Sequence, residues 1–257
     1  MFREGIGEGF GKDEMTKRQS LELFDRIGLP TLPHVFLNKY NFREQVAHFV
    51  NENQLDRIQI RTDGKGRSTP SLRNVEPTEE VLDQIEQFFD EGYSVILSSP
   101  GNNFRNTHSV NIQIKTKEAV IDDKGIGFAS IVLFEAVGPG FTARELNRNN
   151  KFHEYLEMDM DLLAITKRKI LPENYADDRQ EALENANMDE LERYESLLLE
   201  NEEYAPLNSK EIEFLKGAAF KLDDWGKTNN VSNFTASMSF IELDDKIQPA
   251  FWDLILK

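Results

Sequence analysis

The 257-residue chain carries 30 Lys and Arg against 46 Asp and Glu, a formal net charge of −16, and no cysteine. This excludes a disulfide scaffold, a thiolate zinc site and a thiol nucleophile, and it makes long nucleic acids and anionic membranes poor partners. With 39% apolar residues and 18 Phe the chain can bury a core as one large domain or two small ones, and with no membrane-length apolar run and no signal-peptide pattern a soluble, cytoplasmic protein is expected.

Residues 1–12 alternate Gly5, Gly7, Gly9 and Gly11 with Ile6, Glu8 and Phe10, which predicts a flexible arm. A helix follows, with Asp13 as its cap, Leu21, Phe24 and Ile27 on one face and Gly28 at its end. Leu29-Pro30-Thr31-Leu32-Pro33 cannot be helical and predicts an extended link. Asn41-Phe42-Arg43-Glu44 has the pattern of a capping box, and Phe42, Val46, Phe49 and Val50 have helical spacing. Residues 56–62 read as a strand through Ile58 and Ile60, and residues 63–70 as a loop. A helix over 78–91 would bury Val81, Leu82, Ile85, Phe88 and Phe89, stop at Gly92 and lead into a strand over 93–97.

The middle of the chain is strand-rich. Val110, Ile112 and Ile114 alternate, and residues 119–121 would continue the pairing across a turn. Residues 128–137 are nearly all apolar, the signature of a strand covered on both faces. Gly138-Pro139-Gly140 ends it, and Thr142-Ala143-Arg144-Glu145 resembles a capping box opening a short helix. Met158 and Met160, alternating with Asp159 and Asp161, suit a strand edge. Residues 173–213 hold 14 acidic and three basic residues, a net −11, and their few Leu anchors predict surface helices with solvated acidic faces. A helix from 209 to about 225 and two strands over 234–243 and 250–256 close the chain, with Thr235, Ser237 and Ser239 giving the first strand one polar face.

Three places could carry chemistry. The loop at 63–70 has glycines that let backbone N–H groups approach an anion, positive charge from Arg61, Lys65 and Arg67, and hydroxyls from Ser68 and Thr69. That composition suits a phosphate, although the P-loop spacing is absent, and a solvated turn between a strand and a helix is the alternative. Gly138-Pro139-Gly140 before a helix N-terminus is a second anion candidate, with Arg144 and Arg148 four residues apart as a clamp; surface arginines with local partners are the alternative. Glu242, Asp244, Asp245 and Asp253 form an acidic group on the closing strands that could hold Mg2+, with Glu242 and Asp253 the better candidates and ordinary hairpin polarity the alternative. His34, His48, His108 and His153 lack metal-ligand spacing and read as structural or surface residues.

The order of these elements resembles the ATP-grasp fold. The resemblance lies in Gly28-Leu29-Pro30-Thr31-Leu32-Pro33 after a helix, the Arg57-Ile58-Gln59-Ile60-Arg61 strand, and the Gly-rich loop after it. It covers residues 14–100 and returns in 128–148 and 234–256. It implies an α+β, two-lobed arrangement of antiparallel sheets with flanking helices. The division would be an arm at 1–12, an N-terminal lobe at 13–100, and a C-terminal lobe at 101–257 with an acidic helical insertion at 173–213.

The resemblance implies Mg2+ and ATP as cofactors and activation of a carboxylate for ligation. Arg61 would take the place of the phosphate-binding cation. Asp63, Gly64, Lys65, Gly66, Arg67, Ser68 and Thr69 would form the loop closing on the phosphates. Glu135, on a strand like the family's hinge strand, would contact ribose or metal; Glu242 and Asp253 would be metal carboxylates. Arg144 and Arg148 would hold a small acidic substrate. Two departures support an alternative. The closing strand reads Phe251-Trp252-Asp253-Leu254 where the family has a Glu-x-Asn group, and the family's usual preceding domain has no counterpart before residue 13. The alternative is a non-catalytic binding or assembly protein whose acidic helical face docks a basic partner.

Overall fold

The structure is a computed structural model that describes residues 15–64, 69–99, 101, 105–122, 125–139, 141, 152–185, 201–243 and 246–256, with main chain alone at 116–122, 125–129 and 185. The predicted arm and Asp13 lie outside the described residues. Helix α1 (Lys17–Arg26) is capped by Thr16, whose hydroxyl accepts from the Gln19 N–H while the Gln19 side chain accepts from the Thr16 N–H. Gly28, at φ +67°, ends this turn of the chain where a side chain would be strained.

A four-stranded sheet follows, built from β1 (His34–Phe36), β2 (Ile58–Asp63), β3 (Ser71–Val75) and β4 (Ser94–Ser98), in the order β1-β4-β2-β3 and wholly antiparallel. Ile58, Ile60, Val95 and Leu97 point to one face. There they meet Phe42, Val46 and Phe49 of α2 (Phe42–Asn53) and Val81 and Ile85 of α3 (Glu79–Asp90). Thr78 caps α3, its side chain accepting from the Val81 N–H. Asn41 precedes α2 but makes no side-chain cap; Gln45 instead accepts from the Asn38 N–H. The loop at 63–70 leads to β3, not to a helix, because Thr62 and Thr69 close a hairpin. The Thr69 hydroxyl donates to the Thr62 carbonyl, and the Thr62 hydroxyl to the Pro70 carbonyl.

The larger sheet has the order β10-β9-β5-β6-β7-β8 and is also antiparallel throughout. Its strands are β5 (Arg105–Asp122), β6 (Gly125–Val137), β7 (Glu154–Asp159), β8 (Ala164–Ile170), β9 (Asn233–Leu243) and β10 (Lys246–Leu256). Two long helices flank it, α4 (Pro172–Asn185) and α5 (Ser209–Asn229). No turn interrupts β5 before residue 119; its pairing with β6 runs through Asp122. The even-numbered residues of β5, β6 and β9 face one way and bury Val110, Ile112, Ile114, Val132, Phe134, Ala136, Phe234, Ala236, Met238 and Phe240. α5 covers this face with Leu215, Ala218, Ala219 and Leu222, and α1 adds Leu23 and Phe24, the latter stacked 5.1 Å from Phe251. β6 is thus fully buried on one face only, as antiparallel strands allow, and its other face carries half-buried Ile131, Leu133 and Glu135.

α1 also touches the small sheet, so it wedges between the two sheets and does not belong to the first alone. The Arg18 guanidinium lies 4.5 Å from the Phe36 ring, and Lys17 donates to the Thr62 carbonyl at 2.7 Å. The acidic stretch is more deeply anchored than its leucines suggest: Tyr175 and Tyr204 are buried with Val137 and Phe141. Residues 186–200, the middle of the predicted acidic stretch, lie outside the described residues.

Candidate functional site

Strand alternation fixes which side chains face the space between the sheets. On β2 the odd positions face it, so Arg61 shares that side with Gln59 while Ile58 and Ile60 go to the core. On the large sheet the odd positions of β5, β6 and β9 face it. A bulge in β10 between Phe251 and Asp253 resets that strand, leaving Phe251 in the core and turning Asp253 to the polar side. The register then lines up one cross-sheet row: Asp253, Ser237, Asn111, Glu135, Tyr155 and Lys169. The adjoining row runs Ile255, Thr235, Gln113, Leu133, Glu157 and Lys167.

Arg61 closes this space from the opposite sheet. Its Nη2 lies 3.4 Å from Asp253 Oδ2 and its Nη1 donates to the Trp252 carbonyl at 3.1 Å. Glu135 stands three strands from Asp253, about 14 Å at the usual ~4.8 Å per strand. It accepts a short hydrogen bond from Gln113. Arg61, Asp253 and Glu135 therefore border one polar region, with Ser237 and Asn111 between them.

The floor of that region is polar yet buried. Ser237 donates to Asn111 Oδ1 at 2.8 Å, and the Ser109 and Ser239 hydroxyls pair at 2.6 Å. Thr235 is buried too, and its hydroxyl has no hydrogen-bond partner. A buried hydroxyl without a partner among the described residues costs roughly 1–3 kcal/mol. At the far side Tyr155 donates to Glu157 at 3.2 Å. Burial, then the Glu157 carboxylate, pushes the Tyr155 phenol up to about 12.

The remaining candidates fall as follows. Asp63 Oδ2 accepts from the Arg18 N–H at 3.0 Å, so its carboxylate occupies the N-terminus of α1 and anchors the loop. Gly64 is wedged against Tyr93, whose Cδ1 would lie 2.8 Å from an added Cβ. The Thr69 hydroxyl is used within the hairpin and also meets Lys17. Lys65, Gly66, Arg67 and Ser68 lie outside the described residues, as do Arg144, Arg148, Asp244 and Asp245. Glu242 is not on the side of Asp253. It shares the face of Phe240 and pairs across β9 with Arg105 and Ile247, five residues or ~17 Å along the strand from Ser237, so Glu242 and Asp253 cannot hold one ion together. Gly138 is not an anion site either. Its N–H donates to His153 Nδ1 at 2.9 Å, and Tyr204 and Tyr175 leave no room beside its Cα.

His153 is fully buried, with Nε2 3.1 Å from Asp178 Oδ2, and His108 binds the Ala205 carbonyl through Nε2 at 2.7 Å. Among the described residues no three His, Asp or Glu side chains form a metal cluster. Asp253 is paired with Arg61, and its carboxylate fits Mg2+ once that pair parts, since the ion binds one or two carboxylates and takes its other ligands from phosphates and water. Nearby, Glu154 is fully buried and fully satisfied: Arg168 Nε donates to it at 2.7 Å, the Leu207 N–H at 2.8 Å and the Tyr204 hydroxyl at 3.1 Å. Burial, reinforced by Glu154, drives the Tyr204 phenol far upward. This network welds α5 and the segment before it to β7. Sequence reading missed Asn111, Gln113, Tyr155 and Lys169. Only polar alternation within apolar strands could have revealed them.

No protein-family model matches this chain, and no curated protein matches its sequence. Solved structures do match. ACD1 of Ca. Korarchaeum cryptofilum, in complex with coenzyme A, aligns over 95% of this chain and 93% of its own, with 13% identity and a TM-score of 0.50. The dinucleotide-forming acetyl-coenzyme A synthetase 1 of the same organism aligns over 96% and 95%, with 13% identity and a TM-score of 0.49. D-alanine-D-alanine ligase from Helicobacter pylori aligns over 94% of this chain and 53% of its own, with 12% identity and a TM-score of 0.46. The chain has an ATP-grasp-like, α+β fold with two antiparallel sheets. Identities this low speak for the fold alone.

Proposed function

We propose that the chain binds Mg2+–ATP between its two sheets and activates a small carboxylate for ligation. The observation that carries the proposal is the meeting of Arg61 with Asp253 at the end of a polar row that also holds Glu135. A cation from one sheet and carboxylates from the other are what a polyphosphate–metal complex needs, since such transfers are catalysed mainly by positioning and by neutralising charge. Arg61 binds the phosphates, moving from Asp253 to them. Lys65 and Arg67 add charge from the loop, and Asp253 is released to the metal. Glu135, held by Gln113, receives the ribose. Arg144 and Arg148 hold the acidic substrate. Mg2+, when bound, supplies charge stabilisation of the transferring phosphoryl group.

Thermal unfolding with and without Mg2+–ATP tests the reading. At a hundredfold excess over Kd the complex gains about 2.7 kcal/mol, a rise in Tm of roughly 5–10 °C for a chain of this size. Arg61→Ala should abolish the rise. No rise at millimolar nucleotide would sink the nucleotide reading, and an intact rise in Arg61→Ala would remove Arg61 from the site. The docking reading of the acidic segment keeps its own test. Capture of a basic partner should weaken with salt and with charge reversal within 177–203.

A further inference from the structure

The two ends of the large sheet are treated differently. At one end β10 is sealed: Thr31 forms a parallel bridge with Phe251, the Phe251 N–H donates to the Pro30 carbonyl, and the Leu254 N–H donates to Ser20 Oγ. At the other end β8 pairs with β7 alone, and among the described residues no strand lies on its outer edge. Six of its seven residues are exposed. An open edge offers its main-chain N–H and C=O groups to any extended chain that can align with it.

We propose that the outer edge of β8 docks an extended acidic segment of a partner protein, which adds a seventh strand to the sheet. Charge identifies the occupant. In a chain of net −16, β8 carries three consecutive cations, Lys167, Arg168 and Lys169. Arg168 is taken by Glu154 and by the Leu207 carbonyl. Lys167 and Lys169 stand opposite Glu157 and Tyr155, on one face and two residues apart. A docked strand presents alternate side chains to that face, so carboxylates at every second position would meet both lysines. Apolar side chains mark both ends of the strand, Leu162 and Leu163 just before it and Ile170 as its last residue, all exposed. The leading turn is held in place: Asp159 Oδ1 accepts from the Asp161 and Leu162 N–H groups, and Leu163 takes a left-handed φ of +50°. A second copy of the chain is a poor occupant, because antiparallel pairing of β8 with itself would set its cations against one another.

Three labelled peptides and fluorescence anisotropy test this: four Glu-Val repeats, the same peptide N-methylated at every main-chain amide, and four Lys-Val repeats. The Glu-Val peptide should bind alone. Its affinity should fall as salt rises from about 0.05 to 0.5 M and fall about tenfold in the K167E/K169E double variant. Circular dichroism confirms that variant is folded, as both lysines are exposed. Amide exchange in β8 should slow when the Glu-Val peptide is bound. Equal binding of the N-methylated peptide, which cannot donate main-chain hydrogen bonds, would reduce the site to charge attraction and overturn strand addition. Failure of the Glu-Val peptide at millimolar concentration, or a concentration-dependent dimer that this peptide dissociates, would also overturn the proposal.

Discussion

The Arg61–Asp253 pair is the contact through which fold and proposed chemistry can be measured together. At 3.4 Å, unit charges attract by about 5 kcal/mol at an effective dielectric constant of ~20. Much of that is lost, because the side chains keep 20% and 35% exposure to water and each gives up solvation to meet the other. A net coupling of about 1 kcal/mol remains as the expectation. A double-mutant cycle reads it: urea unfolding of the native chain, Arg61→Met, Asp253→Asn and the double variant. Additivity errors of roughly 0.3–0.5 kcal/mol leave a coupling of that size visible. Repeated with Mg2+–ATP at a hundredfold excess over the Kd of the native chain, the apparent coupling should grow by up to about 2.7 kcal/mol, because only that chain keeps both groups that hold the nucleotide and its metal. A coupling indistinguishable from zero without nucleotide would refute the interlobe contact. A coupling unchanged by bound nucleotide would refute the assignment of Arg61 to the phosphates.

Five further outcomes follow from other parts of the molecule. Glu154→Leu should cost about 3 kcal/mol in urea unfolding, because it strands Arg168 and leaves the Leu207 N–H without an acceptor. Gly226→Ala should lower Tm, with a cost of about 1–3 kcal/mol, since its Cβ would meet the Val231 carbonyl at 2.9 Å and Phe234 Cε1 at 2.8 Å. Gly217→Ala, in the same helix with open space around it, should instead raise stability by about 0.5–1 kcal/mol. The Tyr155 phenol should titrate near pH 12 by ultraviolet absorbance; because the folded chain holds that proton more tightly than the unfolded chain, its contribution to stability is full below about pH 10 and disappears as the pH rises through about 12. Glu157→Gln should bring that titration to lower pH.

Elements whose hydrophobic period is clean were legible in the sequence. Val81 and Ile85 gave α3, and Val110, Ile112 and Ile114 gave the centre of β5. Caps were less legible, because more than one polar residue can serve. Asn41 has the right neighbours, yet Gln45 makes the bond with Asn38 that fixes the turn, and Thr16 begins α1 with its own reciprocal pair. The loop after Arg61 leads to β3, Ser-Leu-Arg-Asn-Val, whose half-polar pattern does not mark a strand; its pairing with β2 is settled by Thr62 and Thr69.

The site shows where local pattern stops being informative. Arg61 and Asp253 are 192 positions apart, and each looks like an ordinary surface charge in its own strand. They meet because a bulge in β10 shifts Asp253 off the face that Phe251 and Leu254 occupy. Without the bulge, alternation would place residue 253 with its parity fixed by Phe251, on the core side. Glu242 fails for the converse reason: it keeps the parity of Phe240 and so remains on the other face. The alternation of Thr235, Ser237 and Ser239 did reveal a polar face, but polarity there does not mean solvent. Those side chains are buried between neighbouring strands, bonded to Asn111 and Ser109 where they can be, and in Thr235 left with an unused hydroxyl. Burying that much polarity opposes stability unless something completes its bonding. A ligand between the sheets would do so, which is why nucleotide binding, through the stability it adds, is the measurement that joins this fold to a function.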